Sequence, residues 1–201
     1  TFSEDKRPSL LDNFVLDRDR LQCYIKLGMY QFAEQDNVII MGMGSQVLFQ
    51  HLPHTFRVNI TAPLNVRLNR IQQEYACDEH YANHLIHASD QARSGFTKYF
   101  FNEDWESIHL YDIIINTARI SIQGAKRLIV DAVQEFDNAD QKGHVQKMLS
   151  DLILQQQILI RVLYEENLDF LYMNAVVENG TVTLNGYSRL AENKDRCEEI
   201  V

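Results

Sequence analysis

Four charged residues have types and spacings that could do chemistry. Arg67 and Arg70 lie three apart in one stretch with helical apolar spacing, and Asp90 and Arg93 lie three apart in the next. Within each pair the side chains therefore leave from one side of a helix. Guanidinium forks meet phosphate oxygens bidentately, and a carboxylate among them can orient an arginine or receive a base amino group. The set is a candidate site for an anionic, phosphate-bearing ligand. The same spacings also describe ion pairs on two solvated helix faces, which contribute little to stability.

The elements that must position these groups are legible as apolar runs and breaks. Val38, Ile39, Ile40 and Met41 lead into Gly42 and Gly44, the pattern of a buried parallel strand ending at a tight turn. A second strand is expected over Phe56–Ile60, and Thr61-Ala62-Pro63 then opens a helix to about Glu74. Asp78 is placed to cap a longer helix running to about Tyr99. On that helix Tyr81, Leu85, Ala88, Ala92, Phe96 and Tyr99 are expected to pack inward and His80, His84 and His87 to face out. A third buried strand covers Ile113–Ile115, and Ser121 caps a helix through Phe136.

Several of these residues carry alternative readings. Gly42 and Gly44 lack the third glycine and the later acidic residue of a dinucleotide fingerprint, so alone they mark a strand-end turn. Asn116, after the third strand, can contact a nucleotide base or hydrogen-bond locally before the helix cap. The three histidines recur at i, i+4 and i+7, a geometry that can bring imidazoles toward a metal. No cysteine pair accompanies them, which leaves His80, His84 and His87 weak metal candidates and solvated side chains the better account. No Gly-x-Ser-x-Gly elbow supplies a nucleophile.

Taken in order, Val38 to Gly44, Val58-Asn-Ile-Thr-Ala-Pro-Leu-Asn-Val-Arg-Leu-Asn-Arg70, Asp90-x-x-Arg93, and Tyr111-Asp-Ile-Ile-Ile-Asn-Thr117 with Ile120-Ser121 resemble the cytidylate kinase-like family of nucleoside monophosphate kinases. The resemblance runs from about Asp17 to Phe136. It implies an α/β fold, a P-loop-kinase-like parallel sheet with flanking helices and a helical lid over the segment after Asp78. It also implies phosphoryl transfer from ATP, with Mg2+, to a pyrimidine nucleotide such as CMP, and Arg67, Arg70, Asp90, Arg93, Gly42, Gly44 and Asn116 as nucleotide-binding candidates. Two departures from the family pattern bear on activity. No Gly-x-x-x-x-Gly-Lys-Ser/Thr sequence occurs in these residues, and Met43 stands where the family carries arginine between the glycines. The expectation is a chain whose N-terminal strand and P-loop are absent and which does not catalyse the transfer as it stands.

Composition narrows the rest. The 201 residues hold 28 acidic against 19 basic side chains, a formal charge of −9 that argues against a sequence-independent grip on nucleic acid. No apolar run reaches the roughly 18 residues of a membrane span. The N-terminus does not read as a signal peptide. Cys23, Cys77 and Cys197 form no paired motif, which points to a reducing compartment and a cytoplasmic protein.

The polar stretch 137–145 is expected to be a linker between a kinase-like domain, 1–136, and a second module, 146–201. There a helix over Val145–Glu166 precedes strands over Phe170–Val177 and Thr181–Tyr187, joined at Asn179-Gly180, and a polar helix from about Leu190. Asn179-Gly-Thr-Val-Thr-Leu-Asn-Gly186 between helices resembles the BON domain, a small α+β module of helix-strand-strand-helix-strand order whose last strand is expected to be missing here; the resemblance implies contact with phospholipid or with a protein partner. The rival to the kinase is then a non-catalytic nucleotide-sensing or regulatory protein whose BON-like module binds that partner.

Overall fold

The computed structural model describes residues 18–136, 142–166, 168 and 170–201. The described backbone groups into two compact units, one from residues 41–136, the other from residues 18–40 together with the described residues from 142 onward. The fold is mixed α/β, mostly helical, with a small parallel sheet in the first unit and an antiparallel hairpin in the second.

In the first unit α2 (Ser45–Leu48) is a single turn, followed by β1 (Val58–Thr61), α3 (Leu64–Tyr75), α4 (Glu79–Phe101), β2 (Ile113–Asn116) and α5 (Ile122–Phe136). β1 and β2 run parallel, from Val58 opposite Ile113 to Thr61 opposite Asn116. A parallel pair needs a long crossover, which α3 and α4 supply. Pro63, without a backbone N–H to lose, stands at the start of α3, and the Asp78 carboxylate accepts from Tyr81 N at 2.7 Å to cap α4. Asn102, left-handed at φ 56°, ends α4 by donating its N–H to Lys98 O at 3.0 Å. Ser121 Oγ accepts from Gly124 N at 3.1 Å at the start of α5.

Two expectations fail here. Val38–Met41 forms no strand: both sheets of the described residues hold two strands, and this stretch is in neither. Ile39 and Met41 are 87% exposed, while Val38 and Ile40 are half-buried. An apolar run becomes a strand only where a neighbouring ladder takes up its backbone groups. The buried stripe of α4 is also rotated from the expected one. Ala82, Ile86, Thr97 and Phe100 are buried, whereas Tyr81, Ala88 and Ala92 are exposed. Several apolar stripes of similar width coexist on this helix, and the ring cluster of Phe96, Tyr99 and Phe100, with centroids 4.7 and 4.9 Å apart, turns Phe100 to the core. His80, His84 and His87 are exposed, as expected.

The second unit consists of α1 (Arg18–Ala33), α6 (Lys142–Ile160), one π-helical turn (Arg161–Glu165), β3 (Leu171–Glu178), β4 (Thr181–Tyr187) and α7 (Glu192–Ile200). α1 packs on α6, where Gln146 Nε2 donates to Glu34 O and Ser150 Oγ to Glu34 Oε1, both at 3.2 Å. That pairing joins a helix read with the kinase-like stretch to one read with the second module. α6 begins at Lys142, inside the stretch read as linker, and 137–141 lie outside the described residues. The core is Ile158, Val162, Ala175, Val177 and Cys197, with Val182, Leu184 and Ile200 packed against it. β3 and β4 meet at Asn179 and Gly180, left-handed at φ 54° and 76°, the two-residue turn that matches strand twist.

Candidate functional site

The parallel pair has two ends, and the polar groups divide between them. At the amino ends, Arg57 closes on Asp112: its backbone N donates to Oδ2 at 2.7 Å, its Nε to Oδ2 at 3.0 Å and its Nη2 to Oδ1 at 2.7 Å. All of those bonds are internal, so this pair clamps β1 to β2. Burial pushes the Asp112 carboxyl up, but the side-chain and backbone hydrogen bonds from Arg57 outweigh it and hold the acid below its ordinary range.

At the carboxyl ends, where open α/β sheets place their ligands, Thr117 continues the ladder by donating N–H to Thr61 O at 2.8 Å. Arg70 reaches there from α3, with Nη1 donating to Thr117 Oγ1 at 2.9 Å and Nη2 to Thr117 O at 2.7 Å. Asn116 Oδ1 accepts from Ala118 N at 2.9 Å, the local hydrogen bond of its alternative reading.

One turn before Arg70, Arg67 faces α4 and forms a bidentate pair with Asp90, at 2.8 and 2.7 Å. That hydrogen bond, against partial burial, raises the Arg67 guanidinium further above its already high value, so it stays charged. Asp90 also holds Arg93 at 3.7 Å, and the Arg93 guanidinium lies 5.7 Å from the Trp105 ring centre. Arg93 is 56% exposed. Tyr111 fixes this corner from below by donating its hydroxyl to Trp105 O at 2.6 Å, and burial pushes its phenol up. The structure thus joins Arg67, Asp90 and Arg93 into one network and sets Arg70 on the strand ends.

Gly42, Met43 and Gly44 are consecutive left-handed residues, at φ 78°, 54° and 70°. A side chain on Gly44 would collide with the Phe101 ring at the end of α4, so this glycine is required twice, by conformation and by space. Met43 adopts the same region without that freedom, at a cost of about 1–2 kcal/mol, and its side chain is 53% exposed. Among the described residues no three His, Cys, Asp or Glu side chains gather as a metal site, His80, His84 and His87 included. No helix among them is long and apolar enough to cross a membrane.

Sequence reasoning missed Trp105, Thr117 as the anchor of Arg70, and the Arg57–Asp112 clamp. Asp112 had a signal, a lone carboxylate before an apolar strand. Trp105 had none, since a helix end and an irregular segment bring it to Arg93.

The family model described as the cytidylate kinase-like family matches residues 17–119, half of the chain, and the chain belongs to that family. It is 32% identical over 92 residues to a cytidylate kinase of Natronomonas pharaonis, covering 44% of this chain and 46% of that protein. It is 22% identical over 107 residues to a cytidylate kinase of Staphylothermus marinus, covering 53% of this chain and 60% of that protein. The chain spans about half the length of these curated relatives.

Proposed function

We propose that this member of the cytidylate kinase-like family binds a pyrimidine nucleoside monophosphate, CMP or a close analogue, through Arg67, Arg70, Asp90 and Arg93. The observation that carries the reading is the Asp90 bridge, which satisfies Arg67 bidentately while leaving Arg93 exposed over Trp105. An exposed guanidinium held in place by Asp90 and Trp105 keeps N–H groups turned to solvent for phosphate oxygens, with little ordering left to do on binding. Arg70 marks the strand ends where the rest of the ligand lies, with Gly42, Gly44 and Asn116 as further candidates for contact.

The family's chemistry is phosphoryl transfer from ATP with Mg2+, which is mostly positioning and charge neutralisation. The residues here fit the acceptor side of it. They do not fit the donor side, because no glycine-rich loop with lysine occurs in the sequence and no acidic cluster gathers among the described residues. In this reading the 201 residues bind the acceptor and do not turn it over. Cysteines that form no paired motif fit a cytoplasmic setting.

A second reading is favoured by Met43, which is strained, exposed and uncharged at the family's arginine position. It makes the chain a non-catalytic nucleotide sensor whose α6-β3-β4-α7 segment, BON-like in order, contacts a lipid or protein partner.

Calorimetric titration with CMP and cytidine, alongside a coupled assay with ATP and Mg2+, tests both. CMP should bind more tightly than cytidine, and Arg93→Ala should weaken CMP about 10- to 150-fold, the range for one charge-assisted contact. His87→Ala should change little. Equal losses in the two variants, or cytidine binding as well as CMP, removes the arginine site. Turnover of CMP, dCMP or UMP above background removes the non-catalytic part.

A further inference from the structure

Asp90 alone does not aim the exposed guanidinium of Arg93. Asp90 Oδ1, the oxygen that faces it, already accepts from Arg67 Nη2 at 2.7 Å, and Arg93 Nη1 stands off at 3.7 Å. That separation is longer than a hydrogen bond, so the carboxylate attracts Arg93 without giving it a direction. The second contact is the Trp105 ring, whose centre lies 5.7 Å from the guanidinium carbon. A cation–π contact is directional where the ion pair is not, because the attraction is to the face of the ring. The orientation of Arg93 therefore depends on where Trp105 is held.

Trp105 lies outside the helices and strands, in the turn that follows α4. Glu106 N donates to Asp104 Oδ1 and Ser107 N to Asp104 O, both at 3.0 Å, and these bonds shape the turn locally. The bond that ties the turn to the sheet comes from Tyr111, whose hydroxyl donates to Trp105 O at 2.6 Å. Tyr111 stands on a firm base. Its neighbour Asp112 donates its backbone N–H to Arg57 O at 2.8 Å and carries the carboxylate that Arg57 clamps. Burial, then the nearby Asp104 carboxylate, pushes the phenol up against the opposing charge of Arg93, so the hydroxyl keeps the proton it donates.

We propose that Tyr111 is a positioning residue for the nucleotide phosphate: its hydroxyl pins the backbone of Trp105, the indole lies against Arg93, and the exposed guanidinium is thereby oriented before the ligand arrives. The proposal rests on the reading of Arg93 as a phosphate ligand and adds a residue that acts on the ligand only through Arg93. Arginine is a long side chain with many rotamers, and ordering it at the moment of binding costs affinity. The pin moves that cost to folding.

A tyrosine that served only the fold would change stability and leave affinity alone, and calorimetric titration of the 201-residue chain with CMP separates the two roles. Tyr111→Phe gives up the hydroxyl, keeps the ring and should weaken CMP about 3- to 10-fold, the range for one net hydrogen bond. Trp105→Leu removes the indole but keeps the carbonyl that Tyr111 bonds, and should lose as much or more. Trp105→Phe, with a weaker aromatic face, should lie between it and the wild type. In an Arg93→Ala background Tyr111→Phe should cost nothing further. Trp105 is the single tryptophan of the chain, so its emission reads the pin without any ligand. Tyr111→Phe should open it to acrylamide quenching while far-ultraviolet circular dichroism stays unchanged. A wild type that binds no CMP, or Arg93→Ala binding as tightly as the wild type, removes the phosphate reading and the positioning role with it. If Arg93→Ala weakens binding but Tyr111→Phe is silent, or costs the same in both backgrounds, the phosphate reading stands and the positioning role alone is overturned. Quenching that Tyr111→Phe leaves unchanged overturns it equally.

Discussion

The two units are held together by different physics. In the first, the defining contacts are charged and distant in sequence: Arg57 to Asp112 across 55 positions, Arg70 to Thr117 across 47, Arg67 to Asp90 across 23. In the second, the apolar residues of α6, β3, β4 and α7 meet in one cluster, and most ion pairs are exposed and local, Arg161 with Glu165 and Lys194 with Glu198 four apart. A parallel pair must bring remote segments together, and polar clamps fix their register. A hairpin sets its own register through the turn. The polar investment of the first unit is also what leaves charged groups at its strand ends for a ligand.

The comparison breaks most severely in the cores. Phe100 is 1% exposed and packs on Phe96 and Tyr99, so Phe100→Ala should cost the first unit about 3–5 kcal/mol. Thermal unfolding followed by amide exchange should show loss of protection in α4 and β2 while β3 and β4 keep theirs. If the second unit lost protection equally, the two would share one cooperative core.

Acid separates the units next. The folded Asp112 carboxyl sits below its ordinary value, so its stabilisation is complete above about pH 4 and is lost as pH falls through that range. The exposed pairs of the second unit contribute little by comparison. Denaturant titrations should therefore show the first unit weakening below about pH 4 ahead of the second. Asp112→Asn, which gives up the charge but keeps one acceptor, should cost about 1–3 kcal/mol at neutral pH and flatten that dependence. A variant with the same pH profile as the wild type would show that the clamp is not the acid-sensitive element.

The sequence was most readable where local rules decide structure. β1, β2, the Asp78 and Ser121 caps, the helix after Pro63 and the Asn179-Gly180 turn rest on propensities and short-range hydrogen bonds. The residues Arg67, Asp90 and Arg93 were nameable because helical spacing puts charges on one side. What escaped was set by packing between segments. Val38–Met41 carries a strand's composition without a ladder partner, and α1 finds α6 more than a hundred positions away. Arg67 joins Asp90 because α3 and α4 lie side by side, a fact no spacing within either helix contains.

The smallest expected effect lies at the hairpin turn, and it sharpens the contrast because it is the second unit's own polar clamp. The Asp151 carboxylate on α6 accepts from Asn179 N at 2.7 Å and Gly180 N at 3.0 Å. These two bonds resemble the Arg57–Asp112 clamp in linking distant segments. They differ in that both partners belong to a turn already favoured by its sequence, with Asn and Gly in the left-handed region they tolerate best. The contact is exposed, so water replaces the carboxylate when it is removed. Asp151→Ala should cost about 1 kcal/mol, against the larger loss expected at Asp112. Amide exchange at Asn179 and Gly180 should quicken about fivefold or more, while Val176 and Thr183, the next hydrogen-bonded pair along the ladder, keep their rates. Faster exchange along the whole of β3 and β4 would mean that the carboxylate, and not the turn, holds the hairpin's register.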